Sequence, residues 1–122
     1  MSEQTPQTSR VPVVPGFIEE RTEGVAGPLA MLLRVWCRWC CIWHTHGYTG
    51  TPVGNTTDRA AHCKAPDSPY KATGYDILIS GTPFKAVAKT MRKATPAQER
   101  AIREGRITDA VQLLRDQEPP TA

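Results

Sequence analysis

Apolar residues along this chain come in short runs divided by long polar stretches, and in its first two thirds the runs suit strands better than helices. Leu29 to Trp36 (LAMLLRVW) is apolar and ends in β-favouring residues, and Cys41 to His46 (CIWHTH) starts a second such run four residues later. The pair predicts a hairpin with Cys-Arg-Trp-Cys at its tip. Tyr75 to Ser80 (YDILIS) reads as a third strand. Between these runs, Gly47 to Thr57 and Lys64 to Gly74 are too polar, and too often broken by Gly and Pro, for a helix or a strand.

Beyond Ser80 the period changes. Thr82 is a candidate N-cap with Pro83 in the first helical turn; Phe84, Val87, Ala88 and Met91 then share one helical face, while Lys85, Lys89, Arg92 and Lys93 take the others. Thr95-Pro96 followed by Gln98 matches a capping box, Gly105 would stop that helix, and Thr108 or Asp109 can cap a last short one carrying Val111 and Leu114. The expected fold is α+β. It comprises a small three-stranded antiparallel sheet within residues 25–82, two or three short helices packed on it over 83–116, and disordered tails at 1–24 and 117–122.

A length of 122 residues allows one domain plus tails, and 11 prolines and 9 glycines fit the long connections. Val25 to Trp43 is apolar enough to test as a membrane span, but Pro28, Arg34, Arg38 and the cysteines interrupt it. Each such charge costs roughly 2.5–3.5 kcal/mol at a bilayer centre, so no membrane partner is expected. The start of the chain lacks the basic segment and apolar stretch of a secretory signal, which points to a cytoplasmic location and reduced thiols. Charge is uneven: residues 29–106 hold 12 Lys or Arg against 5 Asp or Glu, a local excess of 7 that permits a polyanionic partner.

All four cysteines and all three histidines lie between residues 37 and 63. Cys37 and Cys40 have the spacing at which a tight turn aims two thiolates at one ion, and a mixed thiolate and imidazole set suits tetrahedral Zn2+. Two disulfides are the competing use of four cysteines, but adjacent Cys40 and Cys41 are awkward to place in separate unstrained bridges. His44 and His46 leave the same face of the predicted strand, so either could be the third ligand; Gly47 behind His46 favours His46. His62 and Cys63 are neighbours that point apart, so one of them would complete the site, with Cys63 preferred. Cys41 reads as a buried packing residue. A site with four protein ligands has no open position for an activated water and is therefore structural, and it makes the expected sheet zinc-ribbon-like.

The strings CRWCCIWHTHG, RAAHC at Arg59 to Cys63 and SPYKATGY at Ser68 to Tyr75 resemble the pattern of a family of small actinobacterial and actinophage proteins with zinc-finger-like Cys and His motifs. The resemblance covers roughly residues 36–79 and implies a metal site without implying an activity. The chain departs from the pattern at Arg38, where the family often has Pro, and at Cys41, where it has Gly.

These readings lead to a zinc-binding module that meets nucleic acid or an acidic protein through a basic surface. Arg59, Lys64 and Lys71 on the loops and Lys85, Lys89, Arg92 and Lys93 after the third strand are the candidate contacts. Trp36, Trp39 and Trp43 are expected to pack over the metal turn more than to stack on bases. Two other classes compete. A metal-dependent hydrolase or nuclease would use His44 or His62 as base or ligand, but no Asp or Glu lies between residues 24 and 57 to complete a familiar catalytic frame. A phage or host accessory protein would act only by binding another protein.

Overall fold

The middle strand of the sheet is one that the hydrophobic pattern does not announce. In the computed structural model, which describes residues 11–21 and 30–122, Val13–Arg21 forms strand β1 inside the stretch expected as a tail. The remainder of that expected tail lies outside the described residues. Ala30–Cys37 (β2) and Ile42–Gly47 (β3) make the anticipated hairpin, Thr56–Arg59 is β4, and Tyr75–Pro83 is β5. The order across the sheet is β3-β2-β1-β5-β4, and β1 pairs parallel with β5 while every other neighbour is antiparallel. The sheet is therefore five-stranded and mixed, which corrects the three-stranded antiparallel expectation; the α+β class holds.

Both additional strands have physical reasons for being hidden. β1 contains Pro15 and Gly16, which normally break a strand. Pro15 is tolerated because β2 pairs with β1 only from Phe17 onward, so at Pro15 the chain needs hydrogen bonds to β5 alone. Gly16 is required by packing: a Cβ there would lie 2.2 Å from Cγ2 of buried Ile77. β4 is Thr-Thr-Asp-Arg, an edge strand with no apolar alternation, and its order comes from pairing with β5.

Strand register sorts the side chains onto two faces. Leu33, Val35 and Cys37 of β2 lie beside His46, His44 and Ile42 of β3, whereas Arg34 and Trp36 lie beside Thr45 and Trp43 on the opposite face. One face carries a core of Val14, Leu33, Val35, Tyr75, Ile77 and Ile79. The other packs Phe17, Trp36 and Trp43 against Phe84, Val87 and Met91, and the core continues around the hairpin tip to Ile102, Val111 and Leu114.

The helices are Tyr70–Thr73 (α1), Phe84–Val87 (α2), Pro96–Arg103 (α3) and Asp109–Arg115 (α4). Thr95 and Gln98 form the capping box, Gly105 takes a positive φ of 78° just beyond α3, and the Thr108 side chain caps α4. α2 is shorter than its pattern suggested. It ends at Val87, whose carbonyl accepts both the N–H and the hydroxyl of Thr90, and the chain then turns so that Ala94 N–H reaches the Cys41 carbonyl at 2.9 Å. The helical spacing of Val87 and Met91 is thus satisfied by a turn that buries both. Its cap is Pro83 rather than Thr82, with no side-chain hydrogen bond. Past α4, Gln117 is tied to the backbone of Arg92 in both directions, at 2.8 and 2.9 Å.

Candidate metal centre

The β2–β3 turn builds half of the site. Cys37 closes β2, Cys40 sits in the four-residue turn, and the Cys41 N–H returns to the Cys37 carbonyl at 2.8 Å. Closing the turn places Cys41 at φ 57°, a left-handed conformation that suits glycine better than a residue with a side chain. The Cys41 thiol is fully buried, contacts the Arg38 carbonyl at 3.4 Å, and is pushed up by burial to about 11. It packs and does not join the other thiols.

His44, two residues into β3, projects on the Cys37 face, and the loop between β4 and α1 brings Cys63 over it. Cys37, Cys40, His44 and Cys63 form a cluster whose ligand atoms all lie within 4.8 Å of one another. The Cys37 and Cys63 sulfurs are 3.7 Å apart, and Cys63 Sγ is 3.7 Å from His44 Nε2. A tetrahedral Zn2+ with Zn–S of about 2.3 Å and Zn–N of about 2.0–2.1 Å would set those separations near 3.8 and 3.6 Å. These two separations match the ion, and with all ligand atoms within 4.8 Å of one another the residues present could hold it.

The surroundings suit thiolates. Cys40 N–H points to Cys37 Sγ at 3.4 Å, Lys64 N–H to Cys40 Sγ at 3.3 Å, and the buried Ser68 hydroxyl to Cys63 Sγ at 3.2 Å. Such donors stabilise negative sulfur and fix its orientation. Without a metal, the crowded groups share protons unequally. A hydrogen bond with Cys40 raises Cys37 while the same contact lowers Cys40, so the two sulfurs hold one thiol and one thiolate. Burial opposes charge on His44, but its hydrogen bonds to Cys40 and Cys63 outweigh that and raise it to about 9. Of these groups Cys40 is the one whose surroundings favour negative sulfur, and the raised His44 is the cation that faces it.

The other candidates go elsewhere. His46, favoured on the sequence, lies one pleat farther from the turn than His44; its Nε2 meets the Tyr75 hydroxyl at 2.6 Å, and burial lowers it to about 4, keeping it neutral. His62 is exposed, with its ring 6.4 Å from that of His46. Trp36 and Trp43 are buried and meet edge to face at 5.5 Å, while Trp39 lies beneath the Arg115 guanidinium at 5.4 Å, so all three are engaged in packing. Arg59 is held by the Gly47 carbonyl, the Asp58 carbonyl and the Thr57 hydroxyl, whereas Lys64, Lys71, Lys85, Lys89, Arg92 and Lys93 are exposed.

Two contributors had no signal in the metal motif itself. Ser68 lies in the Ser-Pro-Tyr string but carries no ligand atom for zinc, and Arg115 is 76 positions from Trp39, whose carbonyl it contacts. Among the described residues no helix is long and apolar enough to cross a membrane. No family model matches the chain, and no curated protein or solved structure matches it either.

Proposed function

We propose that this protein is a zinc-stabilised binding module, with one Zn2+ held by Cys37, Cys40, His44 and Cys63 and with a basic surface that engages a polyanion, nucleic acid in the first instance. The observation that carries the metal assignment is the pair of 3.7 Å separations in a cluster of three sulfurs and one imidazole nitrogen. Zinc rather than a harder ion follows from the thiolate-rich set. With four protein ligands and two strands, a turn and a loop converging on it, the ion would act as a staple. The same count weighs against hydrolysis, which needs an open position, and His46 and His62 are not placed to supply a base at the ion. The motif resemblance to the actinobacterial and actinophage family supports the same metal reading and leaves the partner to chemistry.

For the partner, support comes from the exposed Lys64, Lys71, Lys85, Lys89, Arg92 and Lys93 within a section that carries an excess of 7 positive charges. The zinc-loaded protein is expected to bind single-stranded or duplex nucleic acid at low ionic strength, with affinity falling steeply as salt is raised from 50 to 200 mM, by roughly tenfold or more if a few phosphates are contacted. Fluorescence anisotropy with labelled oligonucleotides measures this. Absence of binding at low salt would remove nucleic acid and leave an acidic protein surface as the partner for the same charges.

A further inference from the structure

The C-terminal helix reaches the metal cluster through one side chain. Arg115, the last residue of α4, is 6% exposed, and its guanidinium spans two separate segments of the chain. Nη1 and Nη2 donate to the two carboxylate oxygens of Asp67 at 2.6 and 3.0 Å, and Nη2 also donates to the Trp39 carbonyl at 2.9 Å. Its carbon lies over the Trp39 ring. Trp39 immediately precedes Cys40. Asp67 immediately precedes Ser68, whose hydroxyl contacts Cys63 Sγ.

One planar fork therefore links the turn that carries Cys37 and Cys40 to the loop that carries Cys63. Near the site those two segments otherwise meet through the Lys64 N–H to Cys40 Sγ contact, the Cys37 to Cys63 sulfur contact and buried Ala65, and the ion would be a further link. We propose that Arg115 is a positioning residue for the metal centre, a clasp that fixes the spacing between the Cys37/Cys40 turn and the Cys63 loop and so controls how fast the ion escapes. The inference rests on the zinc reading above. It assigns to α4 a role beyond covering the core: the helix closes the site from a position late in the chain.

The geometry makes the requirement specific to arginine. A lysine keeps the charge but cannot donate at once to both Asp67 oxygens and to the Trp39 carbonyl in one plane. Removing either partner opens the same gap, so the effects of Arg115 and Asp67 should overlap rather than add. Loss of outer contacts at metal sites generally costs about 10- to 100-fold in affinity, and because Asp67 is 46% exposed the lower end is expected.

The test is the rate at which full-length, zinc-loaded protein gives up its ion to excess chromogenic chelator. Arg115→Met should release zinc about tenfold faster than the wild type, Arg115→Lys should fall between them, and Asp67→Asn combined with Arg115→Met should be no faster than Arg115→Met alone. Val111→Ala, which removes a fully buried contact of the same helix but leaves the clasp, serves as the stability control and should release zinc at close to the wild-type rate although it unfolds more readily. If Arg115→Met does not fold, Asp67→Asn carries the test alone. Release from either variant at the wild-type rate, or no faster than from Val111→Ala, would overturn the clasp while leaving the metal site standing. A wild type that takes up no zinc would instead overturn the site on which the clasp depends.

Discussion

Cys40→Ser, or removal of the metal from the wild type by a strong chelator, is expected to lower the thermal midpoint by about 15 °C or more and to abolish sharp unfolding of the hairpin side of the molecule. Structural zinc contributes an apparent 10–16 kcal/mol or so in small zinc-finger peptides at neutral pH, comparable with the whole stability of a domain, about 5–15 kcal/mol. Cys37, Cys40 and Cys41 belong to the same apolar cluster as Trp36, Trp43 and Phe84, so loosening the turn loosens that core. A chain without the ion must also keep three sulfurs and an imidazole, with unequal protonation, crowded within 4.8 Å of one another. The core of Leu33, Val35, Ile77 and Ile79 shares a sheet face with Cys37 and His44 but does not include the thiols, so residual sheet structure should outlast the hairpin tip. Circular dichroism with and without chelator, and differential scanning fluorimetry of Cys40→Ser, measure both effects.

The second large effect expected is from Trp43→Ala, at about 3–5 kcal/mol of stability. Trp43 is 6% exposed and makes edge contacts with Phe17, Trp36 and Phe84 at ring separations of 6.0, 5.5 and 5.0 Å. It is the centre of the aromatic layer that joins both hairpin strands to β1 and α2. Trp39→Ala, by contrast, removes a part-buried ring at the turn and should cost about 1 kcal/mol, chiefly its contact with Arg115. Urea denaturation of the two variants decides the matter. A small effect at Trp43 would mean that the ring is available for another purpose, such as stacking on a base.

Sequence patterning made the hairpin, the third predicted strand, the capping box of α3 and the end of that helix at Gly105 legible because each is a local signal. The two additional strands were not, since β1 depends on Ile77 filling the space over Gly16 and β4 exists only as a partner of β5. Both are decided by tertiary contacts that a window of residues cannot contain. The metal cluster was readable as a set of residue types, but period-two alternation puts His44 and His46 on the same face and cannot choose between them. Distance from the turn chooses: His44 reaches Cys63, and one pleat farther His46 reaches Tyr75. Arg115 was beyond reach for the same reason as β1, because its partners Trp39 and Asp67 are distant in the chain.

Native mass spectrometry, on protein purified without added metal, across single substitutions of the six Cys and His candidates, reads which side chains hold the ion. One zinc per chain is expected in the wild type, retained in His46→Ala and His62→Ala and lost in Cys37→Ala, Cys40→Ala, Cys63→Ala and His44→Ala. A wild type without zinc would rule out the metal site, and an ion kept in His44→Ala but lost in His46→Ala would rule out this ligand set.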